Sequence, residues 1–192
     1  MAFDPRKLTV KCTEALQRAQ ELAEQNSHRF LRPIHLLKSL LEEEDGLVRP
    51  LLQKLGVHVP QLERMVDGEI SRLPQTSESQ EPVGAGPEAM KVLNAAKKLA
   101  DTMGDEFTST EHLLVALAQV EDQAKRLLSL NGIEEKDLME AVKSLRGGQT
   151  VQDQNPEDKF QALDKYGKDL VQLAREGKID PVIGRDTEIR RV

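Results

Sequence analysis

The chain has no tryptophan, one tyrosine (Tyr166) and four phenylalanines in 192 residues. A core of stacked aromatics is therefore excluded, and burial must rest on Leu, Ala and Val. Cys12 is the one cysteine, which excludes an intrachain disulfide and any multi-thiolate metal cluster. No apolar run approaches the ~20 residues that span a bilayer. The opening Met-Ala-Phe-Asp-Pro-Arg-Lys lacks an apolar signal core. A cytoplasmic location without a membrane partner is the expectation. Basic residues number 27 against 33 acidic, a net charge of −6. That balance disfavours nucleic acid, whose binders draw most of their affinity from Lys and Arg on phosphates.

Chemical motifs are equally scarce. The P-loop pattern Gly-x4-Gly-Lys-Ser/Thr and the nucleophile elbow Gly-x-Ser-x-Gly do not occur. His28, His35, His58 and His112 show neither metal-ligand spacing nor a local carboxylate cluster. The expectation is a chain that is not an enzyme, with no catalytic residue, no metal and no cofactor of its own. His35 and His112 fit packing or hydrogen bonding at a helix start, and His28 and His58 fit solvated turns.

What the chain does have is an internal duplication. Phe30, His35, Leu36, Leu37 and Leu40 reappear in order as Phe107, His112, Leu113, Leu114 and Leu117, at a constant offset of 77 residues. Leu16, Ala19, Leu22 and Ala23 reappear at the same offset as Leu93, Ala96, Leu99 and Ala100. With one residue dropped, Leu51, Leu52, Gly56, Val57 and Leu62 match Leu127, Leu128, Gly132, Ile133 and Leu138. The period exceeds the ~20–50 residues of solenoid repeats, so the pattern predicts one duplicated bundle.

Each copy reads as four helices. Asp4-Pro5 suits the cap and first position of a long helix whose apolar stripe is Leu8, Cys12, Ala15, Leu16, Ala19, Leu22 and Ala23. Pro33 opens the second helix, Leu47 to Leu55 forms a short third that Gly56 stops, and Val59 to Leu73 forms the fourth. In the second copy, Glu88 to Met103 is the long helix and Gly104-Asp105 the turn. Thr108 with Glu111 fits a capping box, the short helix ends at Asn131-Gly132, and Glu134 to Leu145 closes the unit.

The prediction is an all-α, pseudo-twofold domain over 1–148, with repeats at about 1–73 and 87–147. Pro74 to Gly86 joins the repeats, and a polar linker over 149–158 leaves the module. A linker helix carrying Phe160, Leu163, Leu170 and Leu173 follows within 159–192, where the chain reads as the truncated start of a second domain.

The two copies differ at one edge. Asp105 and Glu111 stand where the first copy has His28 and Ile34. From the residues alone two readings stay open: a turn-forming Asp with a capping Glu, or a binding edge marked by carboxylates.

The doubled Phe…His-Leu-Leu unit resembles the N-terminal domain of the Clp chaperone ATPases. The stretch Gly147-Gly-Gln-Thr-Val-Gln-Asp-Gln-Asn-Pro-Glu-Asp is similar to the segment following that domain in the disaggregase, or ClpB, branch. Gly177-Lys-Ile-Asp-Pro-Val-Ile-Gly-Arg-Asp resembles the start of the first ATPase (AAA+) module. The resemblance implies a module that recruits unfolded or aggregated protein to a hexameric, ATP-driven threading ring working with the DnaK system. It ties Thr9, Asp105 and Glu111 to substrate engagement, as partly exposed polar groups beside apolar helix faces. It places Pro181, Val182, Ile183 and Gly184 against the adenine of ATP in a full-length parent, which would also use Mg. The alternative is the adaptor-docking domain of a ClpC- or ClpA-like unfoldase that partners a protease.

Overall fold

Asp4 and Pro5 start only a single 3-10 turn, Pro5–Lys7, in which Asp4 accepts the Arg6 N–H at 3.0 Å. The chain then runs extended through Leu8 and enters α1 (Val10–Gln25) at Thr9, whose hydroxyl accepts the Cys12 N–H at 3.2 Å. The long helix therefore begins later than Asp4-Pro5 suggests, because Leu8 is used for pairing with Thr108. In this computed structural model the described residues are 3–43, 46–76 and 83–157. They belong to one unit, Met1–Phe160; the second, Gln161–Val192, lies outside them. So do the expected linker helix and Pro181, Val182, Ile183 and Gly184.

The first repeat continues through β1 (Phe30–Leu31), α2 (Pro33–Glu42), α3 (Val48–Lys54) and α4 (Val59–Ile70). The second consists of β2 (Gly84–Ala85), α5 (Pro87–Met103), α6 (Thr110–Gln119), α7 (Gln123–Leu130) and α8 (Glu135–Arg146). The all-α, duplicated architecture is as the sequence predicts, and the second helices of the two repeats form its centre. Eight of the ten residues of α2 and nine of the ten of α6 are buried. A helix that is buried all round belongs in a core. α2 and α6 touch each other and pack against both α1 and α5. The buried face of α1 is Cys12, Ala15, Ala19 and Ala23, small side chains that let α2 approach closely.

Two short parallel pairings cross between the repeats. Phe30 and Leu31 pair with Gly84 and Ala85. Leu8 pairs with Thr108, with Thr9 N–H on the Thr108 carbonyl at 3.0 Å and Thr108 N–H on the Lys7 carbonyl at 2.7 Å. These are one arrangement used twice, since Leu8 corresponds to Ala85 and Leu31 to Thr108. At the first pairing Gly86 donates its N–H to the Leu31 carbonyl at 2.9 Å, and a Cβ on Gly86 would sit 3.0 Å from that oxygen. Glycine relieves that tight approach, whereas Thr9 makes the equivalent bond to the Thr108 carbonyl at 3.0 Å.

The stretch from Gly147 to Pro156 has the composition of a polar linker leaving the module, yet it lies against the module. Val151 is fully buried and shares a small cluster with Leu47, Phe107 and Leu145. Its carbonyl accepts the Glu106 N–H at 2.9 Å, and the Gln154 carbonyl accepts the Val10 N–H at 2.9 Å. One apolar side chain and two main-chain bonds take part in docking the segment, and composition does not reveal them. The residues that follow the first repeat behave alike: Gln75 pairs with His28, and Thr76 donates to the Ser27 carbonyl.

Leu37 and Leu114 are equivalent and fully buried. Leu37→Ala and Leu114→Ala are each expected to cost about 2–5 kcal/mol, read as a lower urea midpoint.

Candidate functional site

Both central helices start on a histidine. His35 Nδ1 accepts the Arg32 N–H at 2.9 Å, and His112 Nδ1 accepts the Ser109 N–H at 3.0 Å. This is the helix-start role expected of His35 and His112. It also moves the cap: Ser109 with His112 occupies the cap and third helical positions, where the sequence suggests Thr108 with Glu111. Freed from capping, Glu111 turns inward.

Because Nδ1 accepts, the ring hydrogen sits on Nε2 and is donated onward. In the first repeat it faces His28 Nδ1 at 2.9 Å. His28 is 4% exposed, not solvated as its turn position suggests, because it is needed to receive that proton. Burial, the neighbouring His28 and Arg32 push the His35 pKa down to about 4. In the second repeat, Asp105 Oδ2 replaces His28 and lies 2.9 Å from His112 Nε2.

Asp105 does not stand alone. Arg146, at the end of α8, approaches Asp105 Oδ2 at 2.5 Å with Nη1 and Glu111 Oε1 at 2.8 Å with Nη2. Arg146 is 4% exposed and Glu111 1%. Their counterparts in the first repeat are Ile70 and Ile34, both buried. Two buried apolar positions in one repeat are thus an ion pair in the other. Burial opposes ionisation of Asp105 and Glu111. Hydrogen bonds from His112, the Val151 N–H and Arg146 outweigh it at Asp105, and the charge of Arg146 does so at Glu111; both stay below the usual carboxylate range.

The docked segment closes this network. The Val151 N–H donates to Asp105 Oδ1 at 2.7 Å. Glu157 Oε1 accepts from the Thr9 hydroxyl at 2.6 Å and from the Thr110 N–H, at the start of α6, at 3.4 Å. Glu157 is 1% exposed, and its Oε2 and Glu111 Oε2 lack a hydrogen-bond partner among the described residues. Burial and the nearby Glu111 charge push the Glu157 pKa up to about 7, against the opposing Thr9 bond.

The fold therefore gathers Thr9, Asp105 and Glu111 around one point, from positions 102 residues apart at the extremes. It buries all three, where the resemblance implies partly exposed groups. Local reading of the sequence misses Arg146, Ser109 and Glu157. A signal for Arg146 was present: at the offset of 76 it faces Ile70, as Glu111 faces Ile34, so both members of the pair depart from the symmetry together. Nothing local marks Glu157. Among the described residues no group of three or more His, Cys, Asp or Glu could hold a metal ion. No described helix is long and apolar enough to cross a membrane.

The profile of the Clp repeat (R) N-terminal domain matches residues 7–131. The chain belongs to this family. It is 44% identical over its whole length to chaperone protein ClpB of Rhodopirellula baltica. It is 47% identical, over 98% of its length, to chaperone protein ClpB 1 of Thermosynechococcus vestitus. It matches the N-terminal region of these relatives and spans about a fifth of their length, 22% of each. In structure it is similar to the Hsp104 N-terminal domain from Candida albicans, with a TM-score of 0.71 and 22% identity, covering 79% of this chain and 99% of that one. It also resembles a ClpV N-domain solved in complex with a VipB peptide, with a TM-score of 0.61 and 19% identity, covering 78% and 92%. The region matched is the Clp N-terminal repeat and carries no ATPase module.

Removing one member of a buried ion pair strands the other. Arg146→Ala is expected to cost about 3–5 kcal/mol of unfolding free energy. The triple variant Asp105→His, Glu111→Ile, Arg146→Ile, which copies the first repeat, should be more stable than Arg146→Ala in urea denaturation. Glu157 has a folded-state pKa above its unfolded value, so its contribution is complete below about 4.5 and is lost as pH rises through about 7. Asp105 and Glu111, held low, contribute above their unfolded pKa values, and that contribution is lost as pH falls. The Thr110 amide resonance should titrate with a midpoint near 7, following the Glu157 carboxyl, and should not in Glu157→Gln.

Proposed function

We propose that this chain is the substrate-recruiting N-terminal module of a ClpB-like disaggregase. It binds unfolded or aggregated polypeptide for a hexameric ring that threads it with ATP and Mg, together with the DnaK system, in the cytoplasm. The observation that carries the reading is identity of 40–47% to ClpB chaperones across 96–100% of the chain, well beyond the matched family domain. The peptide complex of the ClpV N-domain supports it, since a domain of this fold accepts a peptide there.

The surface offers the corresponding chemistry. A groove of about 200 Å³ runs along the start of α1, lined by residues that include Leu8, Val10, Thr13 and Gln154. Val10 is 41% exposed at its edge. Apolar side chains of an extended polypeptide pack on Val10, while its main chain finds polar groups around Thr9. Contacts of this kind are weak and indifferent to sequence, which suits a domain that meets many different unfolded chains. Docking of an adaptor for a ClpC- or ClpA-like unfoldase is the second reading. It is favoured by fold similarity to the N-terminal domain of ClpD from Arabidopsis thaliana, with a TM-score of 0.55.

Titration of the isotope-labelled chain with β-casein, a permanently unfolded and cysteine-free polypeptide, tests the proposal. Amide resonances of Thr9, Val10 and Thr13 should shift, together with those of Asp105 and Glu111. A folded protein at equal concentration should leave them in place. A spectrum unmoved by casein would overturn the assignment.

A further inference from the structure

The segment 150–157 lies on the module as a ligand lies on a receptor, bending at Asp153-Gln154 and entering a helical turn at Pro156-Glu157. Its contacts are three bonds through its main chain, one apolar anchor and one carboxyl at its end. The Val151 and Gln154 carbonyls accept the Glu106 and Val10 N–H groups, and the Val151 N–H donates to Asp105. The Val151 side chain fills a small pocket against Leu47, Phe107 and Leu145. The Glu157 carboxyl engages the Thr9 hydroxyl and the first N–H of α6. Recognition of extended peptides elsewhere uses the same division, with main-chain bonds supplying affinity and pockets accepting alternate side chains.

The same stretch borders two surface depressions. Gln154 forms one wall of the groove beside Val10. Gly148, Gln149 and Thr150 form a wall of a second depression of about 330 Å³, lined also by Met103 and Met139. Lifting the segment uncovers Thr9 and Asp105, which it bonds directly, in a trough beside Val10.

We infer that residues 150–157 form a releasable strap that occupies the polypeptide-binding trough of its own module, and that an unfolded chain binds by displacing it. This rests on the function proposed above and adds its regulation. The strap is poised for release because its seat is imperfect. Two buried carboxylate oxygens, Glu111 Oε2 and Glu157 Oε2, lack partners among the described residues, and each such group costs free energy that undocking returns. Arg146 is the cation facing this cluster, and Asp105, Glu111 and His112 are the other titratable groups around it. A polypeptide supplying its own carbonyls and one apolar side chain replaces what the strap gives up. The apparent affinity is then the intrinsic affinity scaled by the fraction of molecules with the strap lifted.

A disulfide lock on the full 192-residue chain tests this. Glu106 and Gln152 are both exposed, and the Glu106 N–H bonds the Val151 carbonyl next to Gln152, so Glu106→Cys with Gln152→Cys pins the strap without touching the core or the groove beside Val10. Cys12 is buried, and burial pushes its thiol well above the usual range, so it stays out of the exchange. Casein binding should weaken at least about tenfold in the oxidised variant and return on reduction. Val151→Ser, which loosens the anchor, should tighten casein binding several-fold over the parent chain. Equal casein affinity in the oxidised and reduced forms would overturn the strap while leaving the proposed function intact. Casein binding to none of the forms would overturn both.

Discussion

One buried cation organises the second repeat. Arg146 reaches back from the end of α8 to bind Asp105 beside the turn and Glu111 on the first turn of α6. At the same two places the first repeat has the buried isoleucines Ile70 and Ile34. A buried ion pair seldom outperforms a well-packed apolar pair, because desolvating the charges costs several kcal/mol per ion, about as much as their attraction returns. Stability alone therefore gives no reason for the exchange. What the ions add is direction: Arg146 and His112 fix Asp105 Oδ2, which leaves Oδ1 aimed at the Val151 N–H. An isoleucine pair could fill the same volume and would orient nothing.

The histidines show how a shared scaffold is put to different use. Each reads the start of its helix with Nδ1, so each must offer a proton from Nε2, and each therefore requires an acceptor. The first repeat supplies a second imidazole and keeps both rings uncharged. The second supplies a carboxylate, and that negative charge calls for Arg146. A single difference at the turn, His28 against Asp105, thus propagates through hydrogen-bond bookkeeping to the far end of α8.

Much of this was legible in the sequence and some was not, for identifiable reasons. The duplication, the eight helices and the central place of Leu36, Leu37, Leu113 and Leu114 follow from a constant offset and helical spacing, which are local and repeated. The asymmetry at Asp105 and Glu111 was visible by comparing the copies. The partner Arg146 lies 35 residues beyond Glu111, and Glu157 148 residues beyond Thr9, so only the closed fold brings them together. The cap was misplaced by one residue because Thr108 and Ser109 are equally good caps, and His112 rather than Glu111 closes the motif. The two-residue strands carry no alternation for a pattern to detect. The strap was hidden because a single valine anchors a segment whose composition is that of a linker.

The crossed pairing of the extended segments bears on how such a domain comes into being. Leu8 waits for Thr108, and the Leu31 carbonyl waits for Gly86. During synthesis the first repeat leaves the ribosome with those groups open and with the outer side of α2 bare, since α5 and α6 have yet to follow. Neither copy completes its own helix entrances, since each takes a main-chain partner from the other. The chain must gather both halves before either is finished, and an insertion or deletion in one half is felt at the helix entrances of the other.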